Sequence, residues 1–259
     1  MRVLQIAQRE WLEQSRQPAM LAVIATLFFL VGGVAVVVLW LVDRVVLDPV
    51  MAQNFENLLP AVGVEGEAAI QAVVGSALRI YNFLIFSQFL GIVAVLAGHA
   101  VLHDRQCGTL TFLLLSPVRR WELLMGKVVG AVGPSLCLYV AICGTASLLI
   151  KTLAVVEPYG ALLPPSPSWL VAFLLTGPLW AAFVSTVCCI VSTVARDVRT
   201  AQQLVWFVVF FATLFAGMLL SYVLEKGVVV QLAVAGLGAV GMMGALLAGT
   251  QIISRDVSR

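Results

Sequence analysis

The chain contains six runs of about 20 or more residues without a single Asp, Glu, Lys or Arg, nearly all of them apolar. They cover residues 19–42, 82–103, 128–150, 169–195, 201–224 and 228–254. Runs of this length exceed what a soluble core helix needs and match the thickness of a bilayer. In lipid the backbone has no outside hydrogen-bond partner, so each run must be helical. The whole composition agrees. Hydrophobic residues make up 61% of the 259 and charged residues 11%, against about 45–50% and 25% in ordinary soluble domains. These values exclude a compact soluble enzyme and a disordered tail. A net charge of +2 excludes a basic nucleic-acid binder, so no nucleic-acid partner is expected. The expected fold is an all-α integral membrane protein that forms one transmembrane domain over residues 1–259.

Six spans leave both termini on one side. Arg2, Arg9, Arg16, Arg105, Arg119, Arg120, Lys127, Arg196, Arg199, Arg255 and Arg259 fall on that side. Only Arg44, Arg79, Lys151 and Lys226 fall on the other. The positive-inside rule then makes the termini cytoplasmic, in a multi-pass protein of the inner cell membrane. The mixed-polar first 18 residues do not read as a cleavable signal.

Residues 1–17 read as an amphipathic interfacial helix. Val3, Leu4, Ala7 and Trp11 share one face, and Arg2, Arg9 and Arg16 the opposite one. Pro18 ends it. The reading is a membrane anchor with some partner contact.

The loop after the second run is apolar where a cytoplasmic loop should be polar. Gly108 and Thr109 read as a helix start, Leu110, Leu113 and Leu114 form an i, i+3, i+4 set, and Pro117 closes the turn. An exposed apolar turn of this kind implies a docking contact. Arg119 and Arg120 follow it. The second basic turn, Arg196 to Arg199, reads as a positive-inside anchor that could also touch a partner.

Several chemistries find no residues. No span has an acidic or basic residue at its middle, which argues against an ion-coupled carrier. No GxxxxGK[ST] motif is present, since Trp121 stands where the first glycine before Gly126-Lys127 should be. No in-span Ser–His or Asp pair supports an intramembrane enzyme. The five cysteines form no CxxC pair. His99 and His103, four residues apart, share a helix face and are weak candidates for metal or haem. In the last run Gly241, Ala245 and Gly249 form a small-residue stripe, either a packing surface or a dimer seam. Pro134 and Pro178 should kink the third and fourth spans.

Gly108-Thr-Leu, Leu113-Leu114, Pro117, Arg120 and Gly126-Lys127, with the opening Ile6-Ala-Gln-Arg-Glu10, resemble the signature of ABC-2 type permeases. These are the membrane subunits of one class of ABC transporters. The resemblance implies that residues 108–116 are the coupling helix, seated in a groove of a separate cytoplasmic ATPase. It also implies two permease copies, forming a homodimer, and an exporter. This chain itself then needs no cofactor and performs no catalysis, and ATP and Mg sit on the partner. Arg9, Arg16, Arg196 and Arg199 are secondary cytoplasmic contacts under this reading. The sequence departs from the signature at Gln106, where the family commonly has Glu, with Asp104 as the nearest acid. The turn at Glu225 to Gly227 leaves little room for the re-entrant helices of polymer exporters. Two alternatives stay open. One is an ATPase-driven mechanical transmitter acting on an external partner through residues 43–79. The other is a haem- or metal-handling subunit using His99 and His103.

Overall fold

The computed structural model describes residues 2–15, 25, 33, 66–108, 119–152, 167–195, 198–223 and 226–256. Among these every regular element is a helix. We number the helices α1 (Arg2–Ser15), α2 (Gly66–Gln106), α3 (Arg120–Thr152), α4 (Pro167–Val171, Ala172–Thr176 and Gly177–Val194 in continuous succession), α5 (Val198–Val223) and α6 (Val228–Asp256). Four stretches are long and apolar enough to cross a membrane: Arg79–Asp104, Arg120–Ala141, Trp169–Val194 and Val228–Ile252. They correspond to the expected second, third, fourth and sixth spans. The expected fifth, 201–224, coincides with the 26-residue α5. Of the expected first, 19–42, only residues 25 and 33 are described, and Thr109 to Val118 of the expected docking turn lie outside the described residues.

Helix ends differ from the hydropathy boundaries. α2 begins at Gly66, well before residue 82, and α3 begins at Arg120 rather than 128. Hydropathy marks only the part of a helix that lipid would touch, whereas backbone hydrogen bonding continues into polar flanks. At the start of α3 the Arg119 N–H donates to Glu122 Oε2 at 3.1 Å, the reaching-back half of a capping box. At the end of α2 the Cys107 N–H still bonds the His103 carbonyl at 2.9 Å, and Gly108 turns out with φ 70. A left-handed glycine is a helix terminator. Gly108 therefore stops α2, where the sequence suggested a helix start.

α2 is the central helix, packed by α3, α4 and α5. Its buried face meets α3 and α4 in an aromatic nest. Tyr139 stacks on Phe89 at 4.3 Å and on Phe173 at 4.6 Å, and Phe173 stacks on Trp169 at 3.5 Å. Offset stacking lets such rings fill a helix junction with few rotatable bonds.

At Pro178 the regular hydrogen bonding of α4 changes locally. Proline has no N–H to give the carbonyl four residues back, and its ring crowds that carbonyl. Just before it, residues Ala172–Thr176 widen into a π-turn, with the Gly177 N–H bonded to the Ala172 carbonyl. By contrast α3 continues through Pro134.

α4 and α6 meet along a seam that explains the small-residue stripe. A Cβ on Gly238 would lie 3.0 Å from the Trp180 ring, and one on Gly241 3.2 Å from the Phe183 ring. On Gly249 it would lie 2.8 Å from Ile190 Cγ1 and 3.2 Å from Leu124 Cδ2. Gly241 and Gly249 thus receive large side chains of the same chain, and Ala245 between them is half-buried. Gly249→Leu is expected to destabilise the bundle by about 1–3 kcal/mol through overpacking. The check is a fall in melting temperature of the detergent-solubilised protein, followed by tryptophan fluorescence.

Candidate functional site: a buried ionic latch between three helices

α1 is built from good helix formers and contains neither Gly nor Pro. It lies on α3 through an unusually close contact. A Cβ on Gly126 would stand 2.6 Å from Ile6 Cγ2, and one on Gly130 2.9 Å from Glu10 Cβ. Only residues without a side chain let the helices come this near. The seated face of α1 is Val3, Ile6, Ala7 and Glu10, all buried or half-buried. This corrects the sequence reading. Leu4 is 68% and Trp11 52% exposed, so the expected apolar face splits between a protein side and an open side. With Leu12 they border a groove of about 530 Å³ that Val129, Gly130, Gly133 and Pro134 complete on α3.

Between Gly126 and Gly130 stands Lys127. Its Nζ donates to Glu10 Oε1 at 2.7 Å, to Asp104 Oδ2 at 2.5 Å and to the Ala100 carbonyl at 3.1 Å. An ammonium has three N–H groups, and all three are used. The three charged residues are buried, with Lys127 and Asp104 each 2% exposed. The partners come from three helices: Glu10 from α1, Asp104 and Ala100 one turn apart on α2, and Lys127 from α3. The contact is both electrostatic and directional, since charge-assisted bonds in a low dielectric are the strong ones.

Sequence reasoning had Glu10 in the opening segment, Asp104 as the acid nearest Gln106 and Lys127 in the Gly126-Lys127 pair, without joining them. A signal was available. At 100° per residue Glu10 falls within the arc of Val3, Ile6 and Ala7, and an acid inside an apolar arc implies a buried cation opposite. The same hydropathy boundary that set span three at 128 left Lys127 one residue outside it. The helix carries it inside the candidate span Arg120–Ala141.

The latch lies within one turn of the end of α2 and two turns into α3, the helices that flank residues 109–118. Gly108, where α2 stops, is exposed, as is Arg119, and Arg120 is half-buried. Asp104 and Lys127 therefore hold the two helices that enter and leave residues 109–118. Thr109, Leu110, Leu113, Leu114 and Pro117 lie outside the described residues, as do Arg16 and Arg196. Arg9 and Arg199 are exposed.

The histidines have separate surroundings. His99 is exposed at a cavity of about 30 Å³ formed with Val95, Gly98, Leu102, Ser192, Ala201, Val205 and Trp206, room for about one water. His103 is half-buried and lies 3.8 Å from Cys107 Sγ through Nε2. Among the described residues no three His, Cys, Asp or Glu side chains are grouped to hold a metal ion.

A family model described as ABC-2 family transporter protein matches residues 4–232, from α1 into the first turns of α6. No curated protein matches the chain.

Proposed function

The chain belongs to the ABC-2 transporter family, and we propose that it is the membrane-spanning half of an ABC exporter driven by ATPase subunits on separate chains. Two copies form the translocation path. Each has six spans, counting 19–42 and 201–224, and both termini face the cytoplasm in the inner membrane. Residues 108–116 dock on the ATPase, which holds ATP and Mg. This chain contributes no catalytic group.

The observation that supports this reading is the latch. A docking loop transmits force only if its ends are stiff. Lys127 ties the end of α2 to the start of α3 and both to α1. A push on residues 109–118 is then delivered to spans two and three and to the interfacial helix together. Two packed arrangements of the halves, biased by ATP binding and hydrolysis, switch access across the membrane. Leu4, Trp11 and Leu12, exposed on α1, lie in the acyl–headgroup boundary.

The test is Leu113→Glu. A charge on the apolar turn should abolish co-purification of the ATPase from detergent extracts while membrane insertion stays normal. Undiminished co-purification would place the docking surface elsewhere.

A second reading draws on the length of α2. The helix begins 13 residues before the candidate span at Arg79, which adds about 20 Å at 1.5 Å per residue. Such a projection on the outer side offers a surface to an external protein, as a mechanical transmitter would need.

A further inference from the structure

The first turn of α6 carries a side chain that its protein surroundings do not satisfy. Gln231 is fully buried. Among the described residues neither Nε2 nor Oε1 of its carboxamide has a hydrogen-bond partner. The Thr176 hydroxyl across the seam is used otherwise. Thr176 Oγ1 donates to the backbone carbonyl of Gln231, at 3.5 Å, not to the carboxamide.

Two backbone irregularities flank this amide. On α4 the π-turn Ala172–Thr176 ends at Thr176. Single π-turns inside α-helices are uncommon and concentrate at functional positions. On α6 the irregularity is Gly227, with φ 88, whose carbonyl accepts the ordinary first helical bond from the Gln231 N–H at 3.3 Å. A left-handed glycine directly before a helix is a place where the chain can swivel. The remainder of the seam is well made. The Trp180 indole N–H donates to the Val234 carbonyl at 3.1 Å, and Phe183 and Ile190 fill the spaces over Gly241 and Gly249.

An amide buried without partners disfavours the state that buries it, because the same group in water would be fully bonded. We propose that this end of the α4–α6 seam is a built-in release point. The turn Val228–Val234 parts from the π-turn by rotation at Gly227, and Gln231 becomes solvated in the parted state. The closed seam holds through Trp180 and the glycines beyond it, so the opening is confined to one end. The proposal rests on the topology given above in one respect, that this end is the outer one, where cargo leaves.

Amide hydrogen exchange of the full chain in lipid nanodiscs tests it without cargo or nucleotide. Gln231→Leu and Gln231→Met keep the volume of the side chain and remove its polar atoms. Exchange of amides in 172–177 and 228–235 should slow about tenfold in these variants, equivalent to about 1.4 kcal/mol on the opening equilibrium. Exchange in 85–101 of α2 should not change. If the leucine variant does not fold, the methionine variant is read alone. Exchange that is unchanged or faster overturns the proposal, as it would if a buried water already satisfied the amide in the closed seam. The readout needs no ATPase, so it can fail while the Leu113→Glu result stands, and the reverse.

Discussion

Replacing Lys127 by methionine is expected to lower the stability of the bundle by about 3–5 kcal/mol, the effect of removing one member of a buried ion pair. Methionine fills the space of the lysine stem but gives nothing to the two carboxylates that share its ammonium, Glu10 Oε1 and Asp104 Oδ2. Ala100 loses its side-chain donor as well. The measurement is the folded fraction on size-exclusion chromatography together with the melting temperature. A rescue separates loss of the latch from a generic packing defect. Glu10→Gln with Asp104→Asn, added to Lys127→Met, removes the stranded charges and should recover most of the loss, since apolar or neutral replacement of a whole buried ionic cluster is often nearly neutral. A triple variant as unstable as the single one would mean that the charges are not what Lys127 serves. Coupling gives the functional readout. The triple variant should fold yet hydrolyse ATP in complex with its ATPase with weakened dependence on the permease, because the loop ends are no longer tied to α1.

The second large effect is expected at Gly126. Gly126→Ala places a methyl 2.6 Å from Ile6 Cγ2 and 2.7 Å from Ile6 Cβ. The second contact is not a flexible end that can swing aside, so α1 must lift. Overpacking of this kind costs about 1–3 kcal/mol. Here it also draws Glu10 away from Lys127, one turn further along the same face. Loss of α1 docking should appear as rapid amide exchange across residues 3–12, with α4 and α6 unaffected. Ile6→Ala in the same chain restores the space, and exchange should slow again. A Gly126→Ala protein with α1 still protected would show that the helices separate without disturbing the latch.

How far the sequence carried the reading depends on which physical quantity each feature needs. The apolar runs require no tertiary information, since length and lack of charge alone exceed what water tolerates. Helices are found at five of the six runs, and of the first only residues 25 and 33 are described. That Pro178 disturbs the hydrogen bonding of α4 was legible for the same reason, because its missing N–H acts on its own helix. The family was legible from the loop motif, and the match over residues 4–232 shows it.

The face of α1 was not legible in this way. Periodicity separated Val3, Leu4, Ala7 and Trp11 from the arginines, yet the helix seats Ile6 and Glu10 and leaves Leu4 and Trp11 open. A helix at an interface has two apolar surroundings, and hydropathy does not tell protein from lipid. Gly126 and Gly130 decide, because only there can another backbone come close. The stripe in α6 shows the same limit. Small residues fix that something approaches, while Trp180, Phe183 and Ile190 fix what approaches.

By itself, then, the chain's order of residues determined where the helices lie and the charge bias between their ends, both of which follow from each segment's own solvation. The tertiary structure alone decided that Glu10, Asp104 and Lys127 are one site and that, among the described residues, the Gln231 carboxamide has no hydrogen-bond partner. Those are statements about residues up to 117 positions apart in sequence. Pairing across such distances depends on which helix faces meet, and no local property of the chain encodes that.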